Sequence, residues 1–294
     1  MMNLLRAEWQ KISGNRIPAA VFVGIYPRGA LMLLIFAGIA AAGSPTFRQN
    51  ILNSPPIWTE QLIFPWVIIN SEIGRLLLVG FAADVFGGEY QRGMWKNLLQ
   101  RRERVPLILS KFIAMAIFVM LAFLLMSIII GVGVGIITLS VGAPYLPALA
   151  DMTPGAWETF LKVFGAQAAV AFTAALIAAS YAALGGIFTR SILGAVAVGT
   201  LLTLAEQGIA LVLSILSSLL ENPGLLQLYK LTPGYNLANI SSWAQYNTAF
   251  TPLYMIGQNF SEFSAVLSTI IVLVWLVGLI ALTVWLVRLQ DILQ

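Results

Sequence analysis

The chain has neither cysteine nor histidine among its 294 residues. The first absence rules out disulfides, thiolate nucleophiles and Cys-ligated zinc. The second rules out proton transfer of the Ser-His-Asp kind and zinc held by an H-E-x-x-H helix. Charge is scarce too: Asp, Glu, Lys and Arg make up 10% of the residues, against about 25% in an ordinary soluble domain. No acidic cluster suggests a carboxylate-only metal site, and no metal or other cofactor is expected on this chain. A G-x-x-x-x-G-K-[ST] phosphate loop is also missing, so ATP is not bound here in that way.

What is present is apolar. Hydrophobic residues reach 59% and the mean hydropathy is +0.89. A membrane span needs about 20 mostly apolar residues. Six segments qualify: 17–42, 64–86, 106–139, 160–187, 192–219 and 265–288. The expected fold class is therefore all-α integral membrane, with residues 17–294 forming one six-helix domain. The third span exceeds a bilayer's thickness, which predicts tilt or extension beyond it. The run before Ala40-Ala41-Ala42 is too long for a signal-peptide core and reads as a retained span.

Lys and Arg set the orientation. With the N-terminus inside, the inner pieces hold Arg6, Lys11, Arg16, Arg92, Lys96, Arg101, Arg102, Arg104, Lys111, Arg190 and Arg288; the outer pieces hold Arg48, Lys162 and Lys230. The split of eleven against three, read off the sequence, places both termini in the cytoplasm. The net charge of +4 thus reflects inner loops, not nucleic-acid binding.

Residues 1–16 read as a separate helix lying in the membrane interface. Leu4, Leu5, Trp9 and Ile12 share one side, with Glu8 an exception among them; Arg6, Gln10 and Ser13 lie opposite. The link Thr189-Arg190-Ser191 makes spans four and five an antiparallel hairpin. The outer connection 220–264 is rich in aromatics and Pro. It reads as an interfacial belt in preference to an outer gate, with a short helix over 236–249.

The least apolar stretch carries the functional signal. Residues 87–111 hold 6 of the 16 Lys and Arg. Over 89–100, Tyr90, Met94, Trp95 and Leu98 fall in one helical arc; Arg92, Gly93, Lys96 and Gln100 fall in the other. Gln91 weakens the pattern, and Pro106 ends or restarts the helix. A loop that merely sets topology would be charged without being amphipathic. This one also mixes signs, with Glu89 and Glu103 among the cations, which suits protein docking.

The run Glu89, Gly93, Lys96, Leu98, Leu99, Arg104, Lys111 resembles the inner loop after the second helix in ABC-2-type permeases, the membrane subunits of bacterial ATP-binding-cassette exporters. The helical layout is similar along nearly the whole chain. Departures are Met94 and Trp95 after Gly93, where the family usually has Thr, and Arg101-Arg102-Glu103-Arg104-Val105-Pro106 in place of a Pro-x-Ser/Thr-Arg turn. The resemblance implies that the inner loop 87–105 carries a coupling helix that docks on an ATPase. Its contact residues would be Glu89, Arg92, Trp95, Lys96, Leu98, Leu99, Arg101, Arg102 and Arg104. It also implies two ATPase copies holding ATP and Mg, and a second permease copy in a homodimer or related heterodimer. The place is the bacterial cytoplasmic (inner) membrane, multi-pass, in contact with lipid. This chain would be a transport subunit, not itself an enzyme.

Arg28, Glu72, Arg75 and Glu206 fall inside predicted spans, where an unpaired charge costs roughly 2.5–3.5 kcal/mol on an insertion scale. Glu72 and Arg75 are spaced for an i,i+3 pair, and Arg28 is a candidate partner for Glu206. The four are either structural ion pairs or a polar patch on the transport path. Two other functions stay open on the residues: an ion-coupled secondary transporter using Glu72 and Glu206, and a structural membrane anchor. No 3+3 inverted repeat is visible to favour the first.

Overall fold

The computed structural model describes residues 2–14, 23–68, 72–91, 104–147, 151–252 and 262–289, without the side chains of Met2, Glu72, Ile73 and Gln207. The described residues are helical throughout apart from short connections. In chain order they form α1 (Met2–Gly14), α2 (Ile25–Gly43), α3 (Pro45–Asn53), α4 (Trp58–Ile68), α5 (Glu72–Gln91), α6 (Arg104–Ser140), α7 (Pro154–Thr189), α8 (Ile192–Leu219), a 3-10 helix (Pro223–Leu231), α9 (Pro233–Tyr246) and α10 (Ala265–Leu289).

Among the described residues, α2, α6, α7 and α10 are each long and apolar enough to cross a membrane. The two arms of α8, Ile192–Glu206 and Gly208–Leu219, make a fifth candidate with a 41° bend. The structure thus has four to five candidate spans where the hydropathy pattern suggests six. The difference lies at 64–86. That segment falls across α4, only 11 residues long and with Pro65 inside, and α5, which carries Glu72, Arg75, Asp84 and Glu89. Residues 69–71 between them lie outside the described set.

Helix ends are set by local chemistry. Thr153 accepts a hydrogen bond from Ala156 N–H and starts α7, with Pro154 at its first position. Arg190, with φ 54°, ends it in the left-handed conformation. Ser191 then caps α8 through Gly194 N–H. Two cap residues in succession make the tight α7–α8 hairpin.

The packed centre is the trio α5, α7 and α8. A Cβ on Gly87 would lie 2.8 Å from the Ser191 carbonyl oxygen, and one on Gly186 would lie 3.3 Å from the Gly87 Cα. Backbones meet there because both positions lack side chains. By contrast, Gly38 faces nothing within 4 Å. Its helix α2 instead turns Leu33, Ile35, Phe36 and Ile39 outward, each more than 60% exposed, as a lipid-facing surface requires.

Within 220–252 and 262–264 the described residues are tied down by specific contacts. Asn239 is fully buried and donates to Ser268 Oγ at 2.8 Å. Ser241 donates to Gln167 Oε1 at 2.8 Å. Trp275 Nε1 donates to the Leu231 carbonyl at 2.7 Å. Tyr229, Tyr235 and Leu226 pack on Ala210 and Leu213 of α8. The aromatics expected as an interfacial belt are in good part core.

Candidate functional site

Helices α5 and α6 flank residues 92–103. At their bases, four charged side chains meet in a ring of alternating sign. Lys111 Nζ, on α6, donates to Glu89 Oε1 at 2.6 Å and to Glu8 Oε2 at 3.1 Å. Lys11 Nζ donates to Glu8 Oε1 at 2.8 Å and to Glu89 Oε1 at 3.0 Å. The first two partners belong to α5 and α1. Lys111 is 0% exposed, Glu8 2% and Glu89 5%. Charges this deep are tolerable only when paired, because desolvating each costs several kcal/mol.

The ring's formation follows from α1. One face buries Ile12, with Leu4 and Leu5 packed on the same core, and Trp9 stacks on Phe118 of α6 at 5.3 Å. Glu8 shares that face, so its carboxylate is carried inward to Lys111. Burial alone would raise the Glu89 carboxyl, but the Lys111 and Lys11 ammoniums outweigh it and hold Glu89 below the ordinary value. For Lys11, burial pulls downward, and hydrogen bonding and charge from Glu8 and Glu89 lift it above the ordinary lysine value.

A second ionic group lies in the α5–α7–α8 core. Arg75 Nη1 donates to Glu206 Oε1 at 3.0 Å, and Tyr181 Oη donates to Glu206 Oε2 at 3.0 Å. Arg75, Tyr181 and Glu206 are 4%, 6% and 8% exposed. The first turn of α9 abuts the same carboxylate. A Cβ on Gly234 would lie 2.5 Å from Glu206 Oε1, so only glycine allows that approach. The helix N-terminus there also favours the negative charge.

Both Glu206 oxygens are thus engaged by Arg75 and Tyr181, while Arg28, the partner suggested by sequence, is exposed near the start of α2. The Glu72 side chain lies outside the described residues, so its pairing with Arg75 is not described. Of the coupling residues read from the sequence, Arg92, Trp95, Lys96, Leu98, Leu99, Arg101 and Arg102 also lie outside them. Glu89 is buried on the last turn of α5, which runs unbroken from Glu72 to Gln91; no separate helix opens at Glu89. Arg104 donates to the carbonyls of Val287 at 3.0 Å and Arg288 at 2.8 Å, capping the C-terminus of α10. Among the described residues, no group of three or more His, Asp or Glu could hold a metal ion.

The family model of ABC-2 family transporter proteins matches residues 4–206. The chain belongs to the ABC-2 transporter family. That match spans α1 through Glu206 and so includes both ionic groups. A comparison with curated proteins finds no match. As an ABC-2 family member, the chain is a multi-pass membrane permease of the ABC transporter class.

Sequence reasoning left Glu8, Lys11, Tyr181 and Gly234 out of the candidate sites. A signal existed for Glu8: an acid on the apolar face of an amphipathic helix asks for a buried cation. Lys111, at the start of a long apolar run, was the matching half.

Proposed function

We propose that this chain is the membrane subunit of an ATP-driven exporter that takes force from a separate nucleotide-binding subunit through residues 87–105. In this reading α4 and α5 together complete a sixth span, both termini are cytoplasmic, and the ionic ring lies at the cytoplasmic end. The chain works as a pair, with two ATPase copies carrying ATP and Mg, in a bacterial inner membrane. ATP hydrolysis belongs to those partners; this chain is not an enzyme.

The observation that supports the reading best is the ring Glu8–Lys11–Glu89–Lys111. It ties α1 and the bases of α5 and α6 together at the start of the amphipathic 89–100 stretch. A push on that stretch then moves two long helices and α1 as one body, instead of being absorbed by a soft joint. Glu206 is held by Arg75 and Tyr181, which fits a packing role better than proton carriage, so the ion-coupled alternative gains nothing from the geometry.

The absence of cysteine gives a clean test. Lys96→Cys, Arg101→Cys and Arg102→Cys each introduce the sole thiol. A bifunctional thiol–amine cross-linker applied to native membranes should join each to a chain bearing a phosphate loop. If all three variants are present in the membrane and none captures such a chain, the coupling reading fails.

A further inference from the structure

An open cavity of about 940 Å³ lies between α4, the start of α7 and the end of α9. Two stripes form its facing walls: Glu60, Phe64 and Val67 on α4, and Ala156, Phe160 and Val163 on α7. Each stripe has the i, i+4, i+7 spacing of one helical face. The helices run side by side in the same direction, since Trp58 meets Trp157 and Phe160 while Trp66 meets Phe164, with centroids 5.2–5.7 Å apart. The α4 wall grades from polar at Glu60 to apolar at Val67, about 10 Å along the axis, and the facing α7 stripe is apolar at all three positions.

Among the described residues that line the cavity, Glu60 is the only charged one. The end of α9 also lines it, through Gln245 and Tyr246, and the carbonyls of a final helical turn carry partial negative charge. Tyr246 is 66% exposed, and an aromatic ring there is a side chain that attracts cations. At the start of α7, Ala156 N–H is already bound by Thr153 Oγ1 at 3.2 Å. The volume suits a drug-sized ligand.

We propose that this groove binds a single-tailed amphiphilic cation, ammonium toward Glu60 and tail between Phe64, Val67 and Val163. A phospholipid is the less suitable occupant, because its phosphate would sit against the Glu60 carboxylate. The orientation, head outward and tail toward the membrane interior, rests on the topology proposed above, with the start of α4 on the outer side. The groove then takes its ligand from the outer leaflet.

The experiment uses the full chain alone in phosphatidylcholine nanodiscs. It is photolabelled with dodecyltrimethylammonium carrying a diazirine on its tail, and labelled peptides are mapped. The expected result is saturable labelling of the peptides containing Phe64, Val67 and Val163. Glu60→Gln should raise the half-saturating concentration about tenfold, the loss of one charge-assisted contact. Val163→Trp should block labelling while the protein stays monodisperse. Three results would overturn the proposal: labelling no stronger than on the exposed Ile35 and Val274 faces, indifference to Glu60→Gln, or equal labelling by the matching dodecylphosphocholine probe, which would make this a lipid site. No ATPase is needed, so failure here is distinct from failure of coupling. Sidedness is read separately, by an impermeant thiol reagent on Asn53→Cys in intact cells.

Discussion

The two buried ionic groups solve the same physical problem in different ways. At the base of α5 and α6, two acids and two lysines alternate, and every charge has a counter-charge from another helix or another turn. In the α5–α7–α8 core, one arginine and one glutamate pair, and a tyrosine supplies the remaining donor. The first group clips a short peripheral helix onto the bundle. The second joins long helices that glycines already bring into backbone contact. Thus the base ring carries the attachment of α1, whereas the core pair adds polarity and register to an interface that apolar packing has already made.

The largest expected effect is at Lys111. Lys111→Met keeps most of the volume but leaves Glu8 and Glu89 facing each other, buried, with only the half-exposed Lys11 between them. Stability should fall by about 3–5 kcal/mol, read as a lower melting temperature in detergent. If Lys111→Met melts like the parent, the ring is not a clip.

The core pair gives the next test. Arg75→Met alone and Glu206→Leu alone should each cost about 3 kcal/mol or more, since each strands a buried charge. The double variant should be markedly more stable than the sum of the singles predicts, with a coupling of about 1–3 kcal/mol. Additive losses would mean that the two residues do not act as a pair.

How much of this was visible in the sequence depended on the range of the interaction. Spans 106–139 and 265–288 map closely onto α6 and α10, because twenty-odd apolar residues can do little else in lipid. The 64–86 segment was harder: Pro65 and three charges, Glu72, Arg75 and Asp84, interrupt it, and hydropathy averages over such breaks. Arg75 and Glu206 stood out as costly residues, but their pairing crosses 131 positions, which no local pattern encodes. The i,i+3 spacing of Glu72 and Arg75, by contrast, can be read from a line of letters. Glu8 looked like a flaw in an amphipathic face until Lys111, 103 residues away, gave it a partner.

Tyr181→Phe removes one donor from Glu206 Oε2 and leaves the Arg75 contact intact. The expected loss is about 1–2 kcal/mol, typical of a hydrogen bond to a charged acceptor. A loss as large as that of Arg75→Met would show that tyrosine, and not the ion pair, organises the core group.

Lys11→Ala should have the smallest effect and best separates the two lysines of the ring. The Lys11 side chain is 38% exposed while that of Lys111 is 0% exposed, so solvent screens much of what Lys11 contributes, and the loss should stay under about 1 kcal/mol. Titration sharpens the contrast. Glu89 is held below its ordinary value of 4.5, so its contribution is present above that value and disappears as pH falls through the lowered one. Lys11 is raised above 10.5, so its contribution is present below that value and disappears only as pH climbs past the raised one. The ring should therefore be insensitive to pH across the neutral range and weaken in acid. Lys111→Met should blunt the acid step, because Glu89 then lacks the cation that most depresses it, whereas Lys11→Ala should leave most of it in place. Melting temperatures of the three proteins from neutral pH to well below 4.5 decide the matter; an acid step of equal size in all three would mean that Glu89 does not report on the ring.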